Sequence, residues 1–402
     1  MMETGLRPKA LAGLGMPAAL IAGLGALWAA AILSGNRYVA LTMAALATAA
    51  VAWWALRRVA TAPVRRWTAI IITASELAAL AALMFGGPPS QPIPPGPRTR
   101  YFDLPTGSRI AYTHAAPAKG DRQSTPVILL HGGPGGPDAK PSPLEPALTA
   151  AGFDVYAYHQ VGAGLSSRLP DASGGYTVAR HVADLDALRA AIRAERVVLV
   201  GTSWGATLTA AYLAAHPDRV ARAVVTSPGM IWSPAFPGDR HMTASGLRDQ
   251  TGVLWDRHPR LLLSAVLVEL AGPRATRALL PDEAMDGEFQ SFVGELDLRS
   301  GCPGGPLQRR PQPGFGYWAN VMSVRDAARV ADPRPALRRV AVPVLVLRGS
   351  CDYLAPEVAR EYAGVLPNAV FRAIDGAGHD IGDDRPERYR ELVTRFLRGE
   401  SP

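Results

Sequence analysis

The stretch Val197-Val-Leu-Val-Gly-Thr-Ser-Trp-Gly-Ala206 decides the fold of this chain. It begins as an apolar run typical of a buried strand, turns through a Gly-x-Ser-x-Gly motif, and continues into an Ala-rich segment that favours a helix. This is the signature of a nucleophile elbow, in which a sharp turn exposes the Ser203 hydroxyl at the top of a parallel sheet. The chain holds 40 glycines, so the motif alone could arise by chance, but the flanking strand and helix make chance a poor explanation.

A serine hydroxyl is a weak nucleophile, and it needs a base that a third group orients. On a fold with this elbow the three residues occur in the chain order Ser, acid, His. Asp352 and His379 each follow a predicted strand in that order, and we predict Ser203, Asp352 and His379 as catalytic residues. Asp375 is the second candidate for the acid. The alternative roles are a helix N-cap for Asp352 and a turn residue for His379.

A glycine-rich loop, His131-Gly-Gly-Pro-Gly-Gly-Pro137, follows another predicted strand. No Lys-Ser/Thr pair follows it, which excludes a phosphate-binding P-loop. The pattern instead matches the loop that supplies a backbone N–H to an oxyanion in hydrolases with this elbow. We predict Gly133 and Trp204 as the two oxyanion-hole donors.

Strands alternate with helices along the rest of the chain, which predicts a doubly wound, mostly parallel sheet. Besides the elbow strand, the predicted strands cover residues 101–104, 109–113, 127–130, 154–158, 221–226, 342–348 and 370–374. Residues 228–335 interrupt this pattern between the sixth and seventh strands, and we expect them to form a helical cap. Ligand sites in such sheets lie at the carboxyl ends of the strands, where the elbow and its candidate partners fall.

The first part of the chain predicts a membrane anchor. Apolar stretches cover residues 10–33, 39–56 and 67–85, each close to the ~20 residues that cross ~30 Å of hydrocarbon. Four arginines lie between the second and third stretches, which places that loop and the N-terminus in the cytoplasm and the remaining domain outside it. If the short second stretch is instead a hairpin or an interfacial segment, the domain lies inside.

The predicted domain organisation is therefore three transmembrane helices over residues 1–86, a linker over 87–99 and a hydrolase domain over 100–402. Proline is frequent in the linker, which favours an extended, semi-rigid spacer. Glu76 lies in the middle of the third span, where a functional carboxylate and a protonated, hydrogen-bonded side chain are the two interpretations, and the second is favoured.

The formal net charge of +8 does not indicate nucleic-acid binding, because most of the basic excess lies in the first 97 residues around the spans. The chain has two cysteines, Cys302 and Cys351, and no C-x-x-C pattern, so no zinc site is indicated. Outside the cytoplasm the two could form a disulfide, and two free buried thiols are an equally good expectation. No cofactor or metal is implied.

These motifs resemble the α/β-hydrolase superfamily and, within it, the prolyl iminopeptidase-like family. The resemblance covers about residues 98–400 and rests on H-G-G-P-G-G at 131–136, on G-T-S-W-G at 201–205, and on the segments that end at Asp352 and His379. It implies Ser203 as nucleophile, His379 as base, Asp352 as its orienting acid, and Gly133 and Trp204 as the oxyanion hole. The chain departs from the family's D-Q-R-G-x-G-x-S loop, because residues 159–166 read H-Q-V-G-A-G-L-S.

Substrate-binding candidates lie in the cap. An aminopeptidase needs a carboxylate beside aromatic surface to hold the substrate's ammonium group. The stretch from 282 to 297 has six acids and no basic residue, and aromatic residues are frequent around it. The candidates are Glu283, Glu288, Glu295 and Trp318. A solvated helix face is the alternative interpretation of the acids.

Three functions are compatible with this sequence. The first is a membrane-anchored aminopeptidase that cleaves N-terminal residues from short peptides through an acyl-enzyme. The second is an esterase or lipase-like enzyme that uses the same triad on small or lipid esters, and the third is a non-catalytic receptor on a hydrolase scaffold. An epoxide hydrolase or a dehalogenase is disfavoured, because those enzymes need aspartate where this chain has Ser203. The expected partners are a small substrate and the lipid bilayer, and no nucleic acid.

Overall fold

The computed structural model describes residues 7–57, 60–117, 122–138, 140–170, 172–296, 302 and 312–402. The chain divides into two compact units. Unit 1 comprises residues 1–89 and 259–288, and unit 2 comprises residues 90–258 and 289–402.

Unit 1 contains three long apolar helices, α1 (Arg7–Ser34), α2 (Arg37–Leu56) and α3 (Ala62–Phe85). All three are long and apolar enough to cross a membrane. Small side chains bring them close together, since Ala19, Ala52 and Ala69 pack in one buried cluster. Large apolar side chains such as Ile21, Trp54 and Ile71 are more than half exposed on the outside of the bundle, as expected for helices whose solvent is lipid.

One polar contact lies inside this bundle. Glu76 on α3 is 6% exposed and accepts a hydrogen bond from the Thr48 hydroxyl on α2. Gly23 on α1 faces the same point, because a Cβ there would overlap both side chains. Each helix thus contributes one residue to the contact, which agrees with the hydrogen-bonded interpretation of Glu76.

Unit 1 also contains α9 (Pro259–Leu279) and the beginning of α10 (Asp282–Glu295), which come from the middle of the chain. Ala275 and Leu279 of α9 pack in a buried cluster with Leu27 and Ala31 of α1. Helix α9 bends at Gly272, which has a φ of 79° and is followed by a proline. Residues 259–288 fall inside the predicted cap, so part of that insert belongs with the three apolar helices.

Unit 2 is built on an eight-stranded sheet with the order β1-β2-β4-β3-β5-β6-β7-β8. Strands β1 and β2 run antiparallel to their neighbours, and β3 to β8 are parallel. This is the α/β-hydrolase sheet that the sequence predicts. The strands are β1 (Arg100–Asp103), β2 (Arg109–Ala115), β3 (Val127–Leu130), β4 (Val155–Tyr158), β5 (Val197–Thr202), β6 (Val220–Thr226), β7 (Val344–Gly349) and β8 (Ala369–Ile374).

Helices cover both faces of this sheet. Because side chains alternate along a strand, Val197 and Leu199 of β5 enter one buried cluster while Val198 and Val200 enter another. The first face is covered by helices α6 (Val178–Ala191), α7 (Trp204–Ala215) and α13 (Pro356–Val365), and the second by α4 (Glu145–Ala150) and α15 (Pro386–Leu397). The helices of unit 2 are α4 (Glu145–Ala150), α5 (Ala172–Gly175), α6 (Val178–Ala191), α7 (Trp204–Ala215), α8 (Ala244–Arg257), α11 (Tyr317–Ala327), α12 (Arg334–Leu337), α13 (Pro356–Val365), α14 (Ile381–Asp384) and α15 (Pro386–Leu397), with short 3-10 turns at Pro217–Arg219 and Ser233–Ala235.

The proline-rich segment before β1 packs onto unit 2. The backbone of Gln91 accepts a hydrogen bond from the Gly314 N–H at 2.7 Å and donates one to the Gln290 side chain at 2.6 Å. Ile93 is buried, and Arg98 forms an ion pair with Glu145 at 2.6 Å. From residue 90 onward the segment predicted as an extended, semi-rigid spacer is therefore held along unit 2. Its apolar and backbone groups find partners there.

Candidate active site

The segment predicted as a nucleophile elbow lies at the junction of β5 and α7. Ser203 has φ 55° and ψ −119°, a left-handed conformation that is strained for a residue with a Cβ. The flanking glycines permit the turn: a Cβ on Gly205 would lie 2.2 Å from the Leu130 carbonyl oxygen, and one on Gly201 would lie 2.3 Å from the Gly205 oxygen. No side chain fits at either glycine, because β3 lies against Gly205 and the start of α7 lies against Gly201.

Asp352 and His379 meet beside the carboxyl ends of β7 and β8. The Nδ1 of His379 lies 2.8 Å from Asp352 Oδ1, and the same oxygen accepts the Leu354 N–H at 3.0 Å. Asp352 is 3% exposed and His379 is 9% exposed. The ring of Tyr353 packs 4.5 Å from the imidazole, centre to centre, and shields it.

Burial shifts the pKa of His379 and of Asp352 toward the neutral form, and the contact between the two side chains shifts each pKa further in the opposite direction. Burial would lower the pKa of His379, but the charge and the hydrogen bond of Asp352 raise it, and the net pKa lies above its ordinary value. Burial would raise the pKa of Asp352, but His379 and the Leu354 N–H lower it below its ordinary value. Asp352 is therefore a carboxylate at neutral pH and favours a protonated imidazole.

Ser203 and His379 are attached to consecutive residues at the end of β6. The Ser203 N–H donates to the Thr226 carbonyl at 3.0 Å, and the Ser227 hydroxyl donates to the His379 carbonyl at 2.7 Å. Thr226 and Ser227 are 2% and 0% exposed, so the end of β6 is tightly packed and rigid. The end of β6 thus holds the backbones of Ser203 and His379, which lie far apart in the sequence.

A buried network fixes the loop predicted for the oxyanion hole. The side chain of Gln160 donates to the His131 carbonyl at 2.9 Å and accepts from the Trp204 indole at 3.0 Å. The Gln160 backbone N–H donates to His131 Nε2, also at 2.9 Å. His131 Nδ1 therefore carries the hydrogen and donates to the Gly132 carbonyl at 2.9 Å. Burial lowers the pKa of His131 to about 3, which keeps the ring neutral.

This network brings the glycine-rich loop to the elbow. A Cβ on Gly132 would lie 3.1 Å from the Cβ of Ser203. Gly133 has a φ of 112°, which favours glycine, and a Cβ there would lie 2.4 Å from the Gly136 nitrogen. Gly132 and Ser203 are thus in close contact, and each is followed in the chain by one of the two predicted oxyanion donors, Gly133 and Trp204. The sequence analysis did not identify Gln160, because its partners His131 and Trp204 lie on segments far away in the chain.

The acid-bearing loop has two further supports that motifs did not reveal. The Arg348 guanidinium, which is largely buried, donates to the Leu354 carbonyl at 2.9 Å and to the Asp352 carbonyl at 3.3 Å. Cys351, next to Asp352, forms a disulfide with Cys302, and their Cα atoms are 5.0 Å apart. Of the two predicted alternatives, the structure contains the disulfide and not the two free thiols.

The predicted substrate residues have other contacts. Glu295 receives a hydrogen bond from Arg257 at 2.8 Å, and Glu288 lies 3.7 Å from Arg260. Trp318 is 1% exposed and packs edge-on against Tyr317. Glu283 is exposed on α10 and, like Glu288, belongs to unit 1, whereas Ser203 belongs to unit 2. Asp297, also among the six acids, lies outside the described residues. The part of these side chains in substrate binding stays a prediction.

The model of the alpha/beta hydrolase fold family matches residues 125–386, which is more than half of the chain. The chain belongs to the α/β-hydrolase family. It is 23% identical over 312 residues to a proline iminopeptidase of Lactobacillus delbrueckii subsp. bulgaricus, covering 73% of this chain and 96% of the relative. It is 28% identical over 336 residues to epoxide hydrolase A of Mycobacterium tuberculosis, covering 75% of this chain and 98% of the relative.

Solved structures agree with this fold. The α/β-hydrolase superimposes on the esterase RhEst1 from Rhodococcus sp. ECU1013 with a TM-score of 0.50 and 23% sequence identity, over 75% of this chain and 98% of the esterase. The match to proline iminopeptidases agrees with the family resemblance of the motifs. The coverage of each chain is consistent with a full hydrolase domain that carries an additional N-terminal region.

Proposed function

We propose that this α/β-hydrolase is a serine hydrolase in which Ser203 is the nucleophile, His379 the general base and Asp352 the group that orients the base. The observation that carries the proposal is the 2.8 Å contact between His379 Nδ1 and Asp352, formed beside the strand end that also holds Ser203. Because Nδ1 is bound to the carboxylate, Nε2 is the nitrogen that can take the serine proton. The resulting imidazolium is stabilised by the buried carboxylate.

In this proposal the oxyanion of the tetrahedral intermediate is bound by the N–H groups of Trp204 and Gly133. Trp204 is the first residue of α7, where backbone N–H groups have no acceptor within the helix and the helix dipole favours negative charge. The Gln160 network holds the Trp204 and His131 segments together. The donors are thus positioned before the substrate binds, which is the condition for strong electrostatic stabilisation.

We propose an aminopeptidase of the prolyl iminopeptidase type, acting on short peptides, as the activity. The similarity to proline iminopeptidases over 96% of their length supports it. An esterase with the same triad is the second candidate, and Arg257 and Arg260 favour it, because they already neutralise two of the carboxylates proposed to bind an ammonium group. The serine at the elbow argues against the epoxide chemistry of the other relative.

The test is labelling and a substrate panel on the full chain in detergent. We expect a fluorophosphonate to label the protein, and Ser203→Ala to abolish labelling and lower hydrolysis by about 10³-fold to 10⁶-fold. Ser124→Ala, at an exposed serine, is the matched control and retains both. The panel compares prolyl and other aminoacyl amides with acyl esters. Cleavage of the esters alone would establish the esterase, and a folded sample that takes no label would overturn the serine hydrolase.

We also propose that the three apolar helices anchor the enzyme in the cell membrane, with the N-terminus in the cytoplasm and the hydrolase domain outside it. The arginines between the second and third helices support this orientation, although Arg58 among them lies outside the described residues. The Cys302–Cys351 disulfide supports it independently, since disulfides persist outside the cytoplasm. A reporter that is active only outside the cytoplasm, fused after Pro402, should be active, and an inactive reporter would contradict this topology.

A further inference from the structure

Helix α9 has an apolar face that the structure leaves uncovered. Residues 261–268 read LLLSAVLV, and the first charged side chain after them is the exposed Glu269, which flanks the apolar face. Val266 is 54% exposed and Leu270 is 68% exposed, and the two lie one turn apart on the same side of the helix. Adjacent apolar side chains that stay exposed on one helix face can mark a site of protein or membrane contact.

The contacts of α9 place it at one end of the three-helix bundle. The Arg260 guanidinium donates to the Ala82 carbonyl in the last turn of α3 at 2.7 Å. Beyond the bend at Gly272, Arg274 donates to the carbonyl of Ser34, the last residue of α1, at 3.4 Å. Cationic side chains stabilise helix C-termini, where carbonyl groups lack partners. Helix α9 is therefore attached where α1 and α3 end and α2 begins.

If the three helices span a bilayer, that end of the bundle lies at the boundary between the hydrocarbon core and the headgroups. Acyl chains surround the apolar stretches, and the headgroups lie at the level of their ends. A helix at this level, with one apolar side uncovered and arginines near both ends, has the composition of a helix that lies in the membrane interface. In that position acyl chains would cover Val266 and Leu270, and the exposed Arg274 would lie at the level of the lipid phosphates.

We propose that α9 is an interfacial membrane helix whose Val266–Leu270 face is covered by phospholipids. The inference rests on the membrane anchoring proposed above and is independent of the chemistry at Ser203. Its occupant is the bilayer, because α9 is attached to the ends of α1 and α3, where the apolar side chains of Leu33 and Phe85 are 83% and 50% exposed. Since α9 lies in the chain between β6 and β7, the cap insert has its own attachment to the membrane, in addition to the covalent connection through the linker.

The test uses single cysteines in the full chain, labelled with an environment-sensitive fluorophore and reconstituted into phosphatidylcholine–phosphatidylglycerol vesicles. Val266→Cys and Leu270→Cys report on α9. Ile71→Cys, 62% exposed on α3, is the control for a lipid-facing position inside the bilayer. Glu387→Cys, on α15 of unit 2, is the control for a water-exposed position. The native cysteines are held in their disulfide and take no label.

We expect lipids that are spin-labelled near the headgroup to quench positions 266 and 270, and aqueous iodide to quench them weakly. Position 71 should be quenched best by a spin label deep in the acyl chains, and position 387 by iodide alone. If position 71 is quenched by lipid while 266 and 270 behave like 387, the interfacial helix is wrong and the anchor stands. If position 71 is also quenched by iodide alone, both the interfacial helix and the membrane anchor are wrong. Fluorophosphonate labelling of the same samples reports separately on the serine hydrolase.

Discussion

In the proposed mechanism His379 is the general base, so we expect its imidazole to set the pH dependence of activity. It accepts a proton only when neutral, and its pKa is raised above the ordinary value of about 6.5 because Asp352 outweighs the effect of burial. Activity should therefore rise with pH through that raised pKa and fall as the pH drops below it. This acid limb should appear both in kcat/KM and in the rate of fluorophosphonate labelling.

Replacing Asp352 by asparagine should lower kcat and move the acid limb of the pH profile. Without the carboxylate only burial acts strongly on the imidazole, so the limb should move to lower pH, and kcat should fall by about 10⁴-fold. Asp375→Asn is the control, because Asp375 is an exposed acid after the neighbouring strand. A limb that stays in place in Asp352→Asn, or moves in Asp375→Asn, would contradict the assignment of the acid.

Gln160 should act as a positioning residue. Gln160→Leu leaves the Trp204 indole N–H and the His131 carbonyl without this partner in a buried site, at about 1–3 kcal/mol for each unpaired group. We expect a lower Tm together with a loss of kcat at nearly constant KM, because donors to the oxyanion act in the transition state. Gln123→Leu, at an exposed glutamine, should change neither. A stability loss with unchanged kcat would restrict Gln160 to a structural role.

At the scale of the element, the elbow depends on the contact between α7 and β3. Gly205→Ala would place a Cβ 2.2 Å from a backbone oxygen of β3, which has little freedom to move, and overpacking of this kind costs about 1–3 kcal/mol. Gly364→Ala is the matched control in α13, where an added Cβ meets nothing within 4 Å and a helical alanine adds stability. Thermal unfolding should therefore show a lower Tm for the first variant and an equal or higher one for the second. Equal Tm values for Gly205→Ala and the wild type would contradict the close contact.

The elements themselves were predictable from sequence, and their pairings only in part. The β5–elbow–α7 segment and the strands before Asp352 and His379 carry their own apolar periodicity and turn residues, so local sequence is sufficient to place them. The Gln160 contacts and the disulfide join segments far apart in the chain, and no local pattern encodes such distances. The cap was predicted as one insert, whereas residues 259–288 pack with the N-terminal helices, because the apolar face of α9 is compatible with either environment.

At the scale of the whole molecule, the disulfide closes a long loop that contains the last part of the cap and β7. The two cysteines are 49 residues apart, and a cross-link of that length stabilises by about 2–4 kcal/mol. Replacing both Cys302 and Cys351 by serine should therefore lower the Tm, and reduction of the wild type should lower it to a similar value. Thermal unfolding with and without dithiothreitol measures both. A wild-type Tm that does not respond to reduction would contradict a structural disulfide.

The same bond has a consequence for a chain that a protease has cut. A single cleavage between residues 303 and 350 separates Ser203 from Asp352 and His379 in sequence, yet the Cys302–Cys351 bridge keeps the two fragments in one covalent molecule. The strand order of the sheet also holds them together, since β6 pairs with β7 across the cut. Nicked protein should therefore migrate as one species without reductant and as two with it, while its serine still reacts. We therefore expect a single cut in this loop to give a two-chain protein that keeps its fold.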